Sequence, residues 1–275
     1  MITFQELVEL KTNLFKSSKV KLVRHKDSRK EYKDILKDRG NLLEYQRIQG
    51  KEVFKNTDYL ISFTGMESTK ALLFGIFKVK DVRVKWSEKE QKEVFYYTLT
   101  EEEICTDLIG RVVIDWGKSS ISWHQWYHKQ EKEVLEILPK GYLGEFKGLT
   151  NFILDYNELR KLISNPDANR DWRSNLSSVN GIYMILDTKT GNQYIGSAYG
   201  KGGIWQRWSD YASNIHGGNK KLKELCDNNK NYKQNFQYTI LQSLPSNISA
   251  KEVIKIENLY KEKFGTKSFG LNENK

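Results

Sequence analysis

Two short runs, GIYMILD at 181–187 and QYIGS at 193–197, flank the segment TKTGN, and this pattern constrains the fold more than any other stretch of the chain. Side chains that alternate in character with a period of two mark a strand with two unlike faces. Gly191 and Asn192 both tolerate positive φ, so the intervening residues supply a turn and 181–197 reads as a β-hairpin. On that hairpin Tyr183 lies on the face opposite Ile182 and Met184. Tyr194 falls opposite or diagonal to Tyr183, so two phenols share one face of a small sheet. The runs that follow predict a helix over GGIWQRWSDYASN, a second helix over NKKLKELCDN, a third strand over NFQYTILQSL and a last helix. That last helix opens on the capping box Ser249–x–x–Glu252, and Gly265 stands where a C-terminal cap belongs.

Chemistry-bearing residues fall at helical spacings on this frame. Arg207 and Tyr211 are four apart and share a helix face. In the last helix Val253, Ile256 and Tyr260 form the apolar stripe, and Glu257 sits inside it. A carboxylate on the core-facing side is costly unless it is paired or bound to a metal, and hard divalent ions such as Mg²⁺ take carboxylate oxygens. Charge supports a polyanion partner. The net charge is +10, with 16 basic against 9 acidic residues in 170–275 and 29 against 26 in 1–169. Cys105 and Cys226 are the two cysteines, too few for a disulfide framework or a zinc finger, which predicts a reducing, cytoplasmic setting. No basic leader and no long apolar run suggests a membrane partner.

Gly181-Ile182-Tyr183, followed ten residues on by Tyr194-Ile195-Gly196, resembles the signature of the GIY-YIG nuclease superfamily. Arg207, Glu257 and the pair Leu271 and Asn272 then fall in the order of that family, and the resemblance covers about 179–273. The resemblance implies a small α/β domain with a three-stranded antiparallel sheet flanked by helices. It implies DNA as partner and hydrolysis of a phosphodiester with one divalent metal, Mg²⁺ or Mn²⁺. By the same resemblance Tyr183 would help activate the attacking water, and Tyr194 would contact the scissile phosphate or its water. Arg207 would stabilise developing phosphate charge, and Glu257 would hold the metal. Asn272 would contact a phosphate or support the site. Tyr211, with His216 as its rival, would relay a proton or contact phosphate. The SAYGKGG insertion after Tyr194 is longer than in the simplest members. Lys220, Lys221 and Lys223 read as a solvated helix face that also meets phosphate.

The remaining two-thirds of the chain is less specific. Residues 4–17 read as a helix with Phe4, Leu7, Leu10, Leu14 and Phe15 near one face, then a short strand over 20–23 and a charged helix ending near 45–48. YLISF, ALLFGIFKV, VFYYTL and RVVID predict a small antiparallel sheet or barrel, and WHQWYHKQEKEVLEIL reads as helical. LISFTGMESTKALLFGIFKV is similar to strands of small β-barrel nucleic-acid readers of the PUA-like kind. Trp116, Trp123 and Trp126, with Lys118 and His124 between them, could hold a flipped base or simply build a core. Arg24, His25 and Lys26 could touch phosphate or merely end a strand. Pro166 in a polar run places a boundary near 170, with a β-rich, barrel-like recognition domain over 1–168 and a nuclease domain over 172–275, an α+β architecture. The expected protein is a restriction- or phage-defence-type endonuclease, able to act as a homodimer, whose first domain selects a sequence or a modified base. The rival readings are a repair or mobile-element nuclease, a DNA-binding protein without cleavage, and an RNA-processing factor.

Overall fold

The computed structural model describes residues 1–26, 35, 39–88, 90–117, 122–229 and 231–273. Contacts divide the chain into two units, Met1–Leu138 and Pro139–Lys275.

In the first unit α1 (Phe4–Glu9) is opened by a capping box between Thr3 and Glu6. It ends well before residue 17, and a short 3₁₀ turn at Leu14–Lys16 follows. Phe4, Val8 and Phe15 are buried while Leu10 is exposed, so the expected single apolar face is broken. The strands are β1 (Val20–His25), β2 (Ile48–Gln49), β3 (Tyr59–Gly65), β4 (Lys70–Ser87), β5 (Lys92–Glu101), β6 (Val112–Asp115), β7 (His124–Trp126) and β8 (Val134–Ile137), with α2 (Arg39–Arg47) before β2. The sheet runs β2-β5-β4-β3-β1-β7, and β6 joins β4 to β8. β1 and β3 pair in parallel, Val20 with Tyr59 through His25 with Thr64, whereas the other pairs are antiparallel. A parallel pair needs a crossover connection, and the chain between β1 and β3 carries α2. The sheet is therefore mixed, and among the described residues its path does not close into a barrel. The stretch read as helical from Trp123 to Leu138 instead contains β7, paired with β1, and β8, paired with β6. Its aromatic and β-branched residues find strand partners, which outweighs a helical-looking period.

The second unit begins thirty residues before the expected boundary. β9 (Leu154–Asp155) pairs with β12 (Phe236–Leu244), and α3 (Tyr156–Ser164) and α4 (Arg170–Ser177) follow β9. Phe146 and Phe152 meet the Trp172 ring edge-on at 5.1 and 4.8 Å. The Trp172 indole donates to Gly144 O at 2.7 Å, and the Asn169 side chain bonds both the Leu143 N–H and Gly141 O. Pro166 thus lies inside a packed unit, between α3 and α4, and marks no linker. β10 (Asn180–Asp187), β11 (Gln193–Ala198) and β12 complete a sheet ordered β11-β10-β12-β9. It has four antiparallel strands where three were expected, because β9 lies outside the segment that carries the resemblance. One face of the sheet packs on α5 (Gly203–Asn214), burying Ile204, Trp208 and Tyr211. The other packs on α7 (Ala250–Lys263) through Ile182, Ile195 and Val253. α6 (Lys220–Asn228) follows α5, and α8 (Thr266–Phe269) follows α7. Among the described residues no helix is long and apolar enough to cross a membrane.

Candidate active site

The hairpin register decides which side chains meet. Tyr183 pairs with Gly196 and Ile185 with Tyr194, so the two tyrosines are diagonal neighbours on one face, their ring centroids 6.4 Å apart. The Tyr183 ring crosses directly over Gly196, where any Cβ would run into its hydroxyl. A Cβ at Gly181 would come to 2.7 Å from Gln242 O on β12. Both glycines of the paired tripeptides therefore keep space for a neighbour. In the SAYGKGG loop Gly203 has φ +48°, and a Cβ there would meet the backbone of Val179, so the loop can seat the start of α5 only with glycine.

Tyr183 is fully buried. Its hydroxyl accepts from Arg207 Nε at 3.0 Å and shares a hydrogen bond with the Tyr211 hydroxyl, also 3.0 Å. The Arg207 guanidinium lies 5.3 Å from the Tyr211 ring centroid. Burial pushes the Tyr183 hydroxyl well above the ordinary phenol range, with Tyr194 adding to the rise and Arg207 opposing it. Burial likewise raises Tyr211, so both are neutral phenols at neutral pH. Burial works against the charge of Arg207 and its hydrogen bond to the Tyr183 hydroxyl favours it, and a guanidinium stays protonated throughout.

A pocket of about 350 Å³ opens beside this cluster. Tyr194, Ala198 and Arg207 line it from the α5 side, and Ser197 and Glu257 from the α7 side. Residues from both faces of the sheet reach one pocket because β11 is an edge strand, and the pocket lies along that edge. Glu257 is half-buried, with one carboxylate oxygen bonded to the Ser197 hydroxyl and the other ion-paired with Lys261. Tyr199, Lys201, Gln206 and Asp210 add polar side chains to the lining, and Ile254 an apolar one. Gln206, Asp210 and Lys261 did not stand out in the sequence, and Ser197, Tyr199 and Lys201 did so only as part of the SAYGKGG insertion, without a role. The signals available were three residues from Tyr194 to Ser197 on a strand, and the i,i+4 step from Glu257 to Lys261 on a helix.

Other expected site residues fall elsewhere. Asn272 is buried, and its side-chain amide makes two hydrogen bonds to one residue of β11, accepting from Ile195 N at 2.9 Å and donating to Ile195 O at 2.8 Å. It completes the edge strand. Asn272→Ala should therefore destabilise the fold by about 2 kcal/mol, two bonds lost from a buried peptide. The measurement is thermal unfolding beside DNA affinity. A large loss of affinity with unchanged melting would return Asn272 to phosphate contact. Lys221 donates to Gly270 O and Asn272 O, both at 2.9 Å, and so ties the 270–272 segment. Lys220 and Lys223 are exposed on α6 and do not line the pocket. His216 accepts from the Gly218 N–H through Nδ1 at 3.0 Å in the turn before α6, and it too is absent from the lining.

In the first unit Trp116 is fully buried against Phe63, and its indole donates to Ser122 O at 3.0 Å. It builds the core and offers no stacking face. Trp123 and Trp126 are half-buried, Trp123 edge-on to Phe54 and Trp126 with the Lys21 ammonium 4.7 Å from its ring centroid. Lys118 lies outside the described residues. His25 is buried, bonded to Gln46 at 2.7 Å and pushed down to about 4 by burial, so it ends a strand inside the core and meets no phosphate. Arg24 is also buried, 5.3 Å from the Trp116 ring centroid, while Lys26 is exposed and donates to Ser68 O at 2.8 Å.

A hairpin with paired tyrosines, an arginine from one helix and a glutamate from another, meeting along an edge strand, defines a nuclease-type site. Residues 179–272 match the family model described as GIY-YIG catalytic domain. Two solved structures are similar at 26% identity and a TM-score of 0.28. The catalytic domain of homing endonuclease I-TevI covers 35% of this chain and 99% of its own, and a mutant of that intron endonuclease domain covers 34% and 92%. No curated protein matches the chain. Residues 179–272 are a GIY-YIG catalytic domain, and the chain is an endonuclease, a phosphodiester hydrolase.

Proposed function

We propose that the chain is a metal-dependent endodeoxyribonuclease of restriction or phage-defence type, cutting at the β11 edge pocket and selecting its target with the first unit. The observation that carries the catalytic part is the convergence of Arg207 and Glu257, from opposite faces of the sheet, on one pocket walled by Tyr194. Positive charge from one side and a carboxylate from the other suit a phosphate and a divalent cation together.

The donor set fits a hard cation. Glu257 presents carboxylate oxygens and Ser197 a hydroxyl at the same pocket, with Asp210 also in its lining. Among the described residues no three His, Cys, Asp or Glu gather, so water and phosphate oxygens would complete the shell, as Mg²⁺ favours. Bound at Glu257, such an ion would neutralise phosphate charge and assist the leaving oxygen. Arg207 supplies a permanent positive charge toward the non-bridging oxygens. Its Nε is committed to Tyr183, which leaves the outer nitrogens for phosphate. Tyr194 is the phenol at the pocket wall, and it would orient the attacking water. Tyr183 stands behind it and fixes Arg207, and Tyr211 closes the hydrogen-bond chain. In the reaction a water oxygen bonds to phosphorus, the ester P–O bond breaks, the water proton passes out of the pocket to solvent, and the leaving oxygen takes up a proton from solvent to become a hydroxyl.

Support for target selection by the first unit is its size and the half-buried Trp123 and Trp126, the latter with the Lys21 ammonium over its ring. A catalytic pocket that reads only a phosphate supplies little sequence choice. The test is cleavage of plasmid DNA, modified phage DNA and single strands with Mg²⁺, with RNA as competitor. Cleavage of DNA that RNA does not suppress is expected. Folded protein that cuts none of these DNAs would overturn the reading.

A further inference from the structure

The ion pair on Glu257 differs from every other ion pair among the described residues. Its lysine and glutamate side chains are 18% and 14% exposed, whereas the partners in each other pair are a third or more exposed. Lys261 follows Glu257 by four residues on α7, the order in which a helix presents an acid to a base most favourably. With Ser197 on one oxygen and Lys261 on the other, both oxygens of the carboxylate at the pocket are engaged. A half-buried carboxylate left without a counter-charge is costly, so a cation belongs there whether or not a metal is present. An ammonium and a divalent ion cannot share one oxygen without strong repulsion.

We infer that Lys261 is a positioning residue that occupies the metal's place on Glu257 and gives it up when the metal binds. The inference rests on the reading of Glu257 as the metal-holding residue. Lys261 holds the carboxylate aimed along the pocket in the resting protein, and its displacement sets the affinity for metal. Its four-carbon stem lets the ammonium swing aside without moving the helix.

The experiment is calorimetric titration of Mn²⁺ alone into the full chain, without DNA, for wild type, Lys261→Met, Lys261→Arg and Glu257→Gln. Thermal unfolding of each variant is the control for folding. Lys261→Met should bind Mn²⁺ about tenfold more tightly, about 1.4 kcal/mol, because no ammonium has to leave. Lys261→Arg should stay near wild type, and Glu257→Gln should lose binding. Binding that depends on Glu257 but is unchanged or weaker in Lys261→Met would overturn the role of Lys261 and leave the metal site standing. Wild-type binding that Glu257→Gln does not weaken would overturn the metal assignment, and this inference with it.

Discussion

Glu257→Gln should lower single-turnover cleavage by about 1000-fold, about 4 kcal/mol in the barrier, the scale of charge stabilisation that a catalytic metal supplies. Glutamine keeps the shape of the side chain and can still accept from Ser197, so the pocket wall remains. What it removes is the negative charge that would hold a divalent ion. DNA affinity, measured by fluorescence anisotropy with Ca²⁺ in place of Mg²⁺, should stay within about threefold, because phosphate contacts by the basic residues dominate affinity. Cleavage that survives in this variant would mean that the cation is held elsewhere, with Asp210 the next candidate in the lining.

Arg207→Lys should cost about 100-fold in the same single-turnover rate, the scale seen when one preorganised donor at a reacting centre is removed. The charge is kept, so a role in long-range attraction alone predicts almost no loss. What lysine cannot reproduce is the planar fork, one nitrogen fixed on the Tyr183 hydroxyl while the others would be left for a phosphate. Tyr183 and Tyr211 would keep their mutual bond, but Tyr183 would lose the Nε–H that Arg207 donates to it. A rate within about fivefold of wild type would show that Arg207 acts as a point charge and that the tyrosine cluster is packing.

The hairpin, the step from Arg207 to Tyr211 and the Ser249 cap of α7 were legible because each rests on local rules. Strand alternation, turn residues, the 3.6-residue period and a capping box are properties of neighbours in sequence. The meeting of Arg207 and Glu257 was legible only through the family resemblance, since nothing local says that helices on opposite faces reach one edge. What failed was tertiary. Residues 139–168 read as the end of the first domain, with a linker around Pro166, and they join the second unit because Trp172 gathers Phe146 and Phe152 from upstream. Trp116 looks like Trp123 and Trp126 in sequence, and only the packing of Phe63 against it separates core from surface. For Asn272, expected to contact a phosphate or support the site, and for Lys221, expected on a solvated face that also meets phosphate, the backbone partners were not legible. Each finds backbone atoms exposed by an edge strand or a chain turn.

An unpaired strand edge is normally an invitation to another polypeptide, because its peptide groups can template a further strand. At β11 the Asn272 amide takes the place that such a strand would fill, meeting the Ile195 N–H and C=O together. The pocket can therefore stay open along this border without offering a seam for self-association at Ile195. A border sealed against peptide and open to phosphate lets a cutting centre sit at the rim of its sheet, where a bulky polymer can reach it.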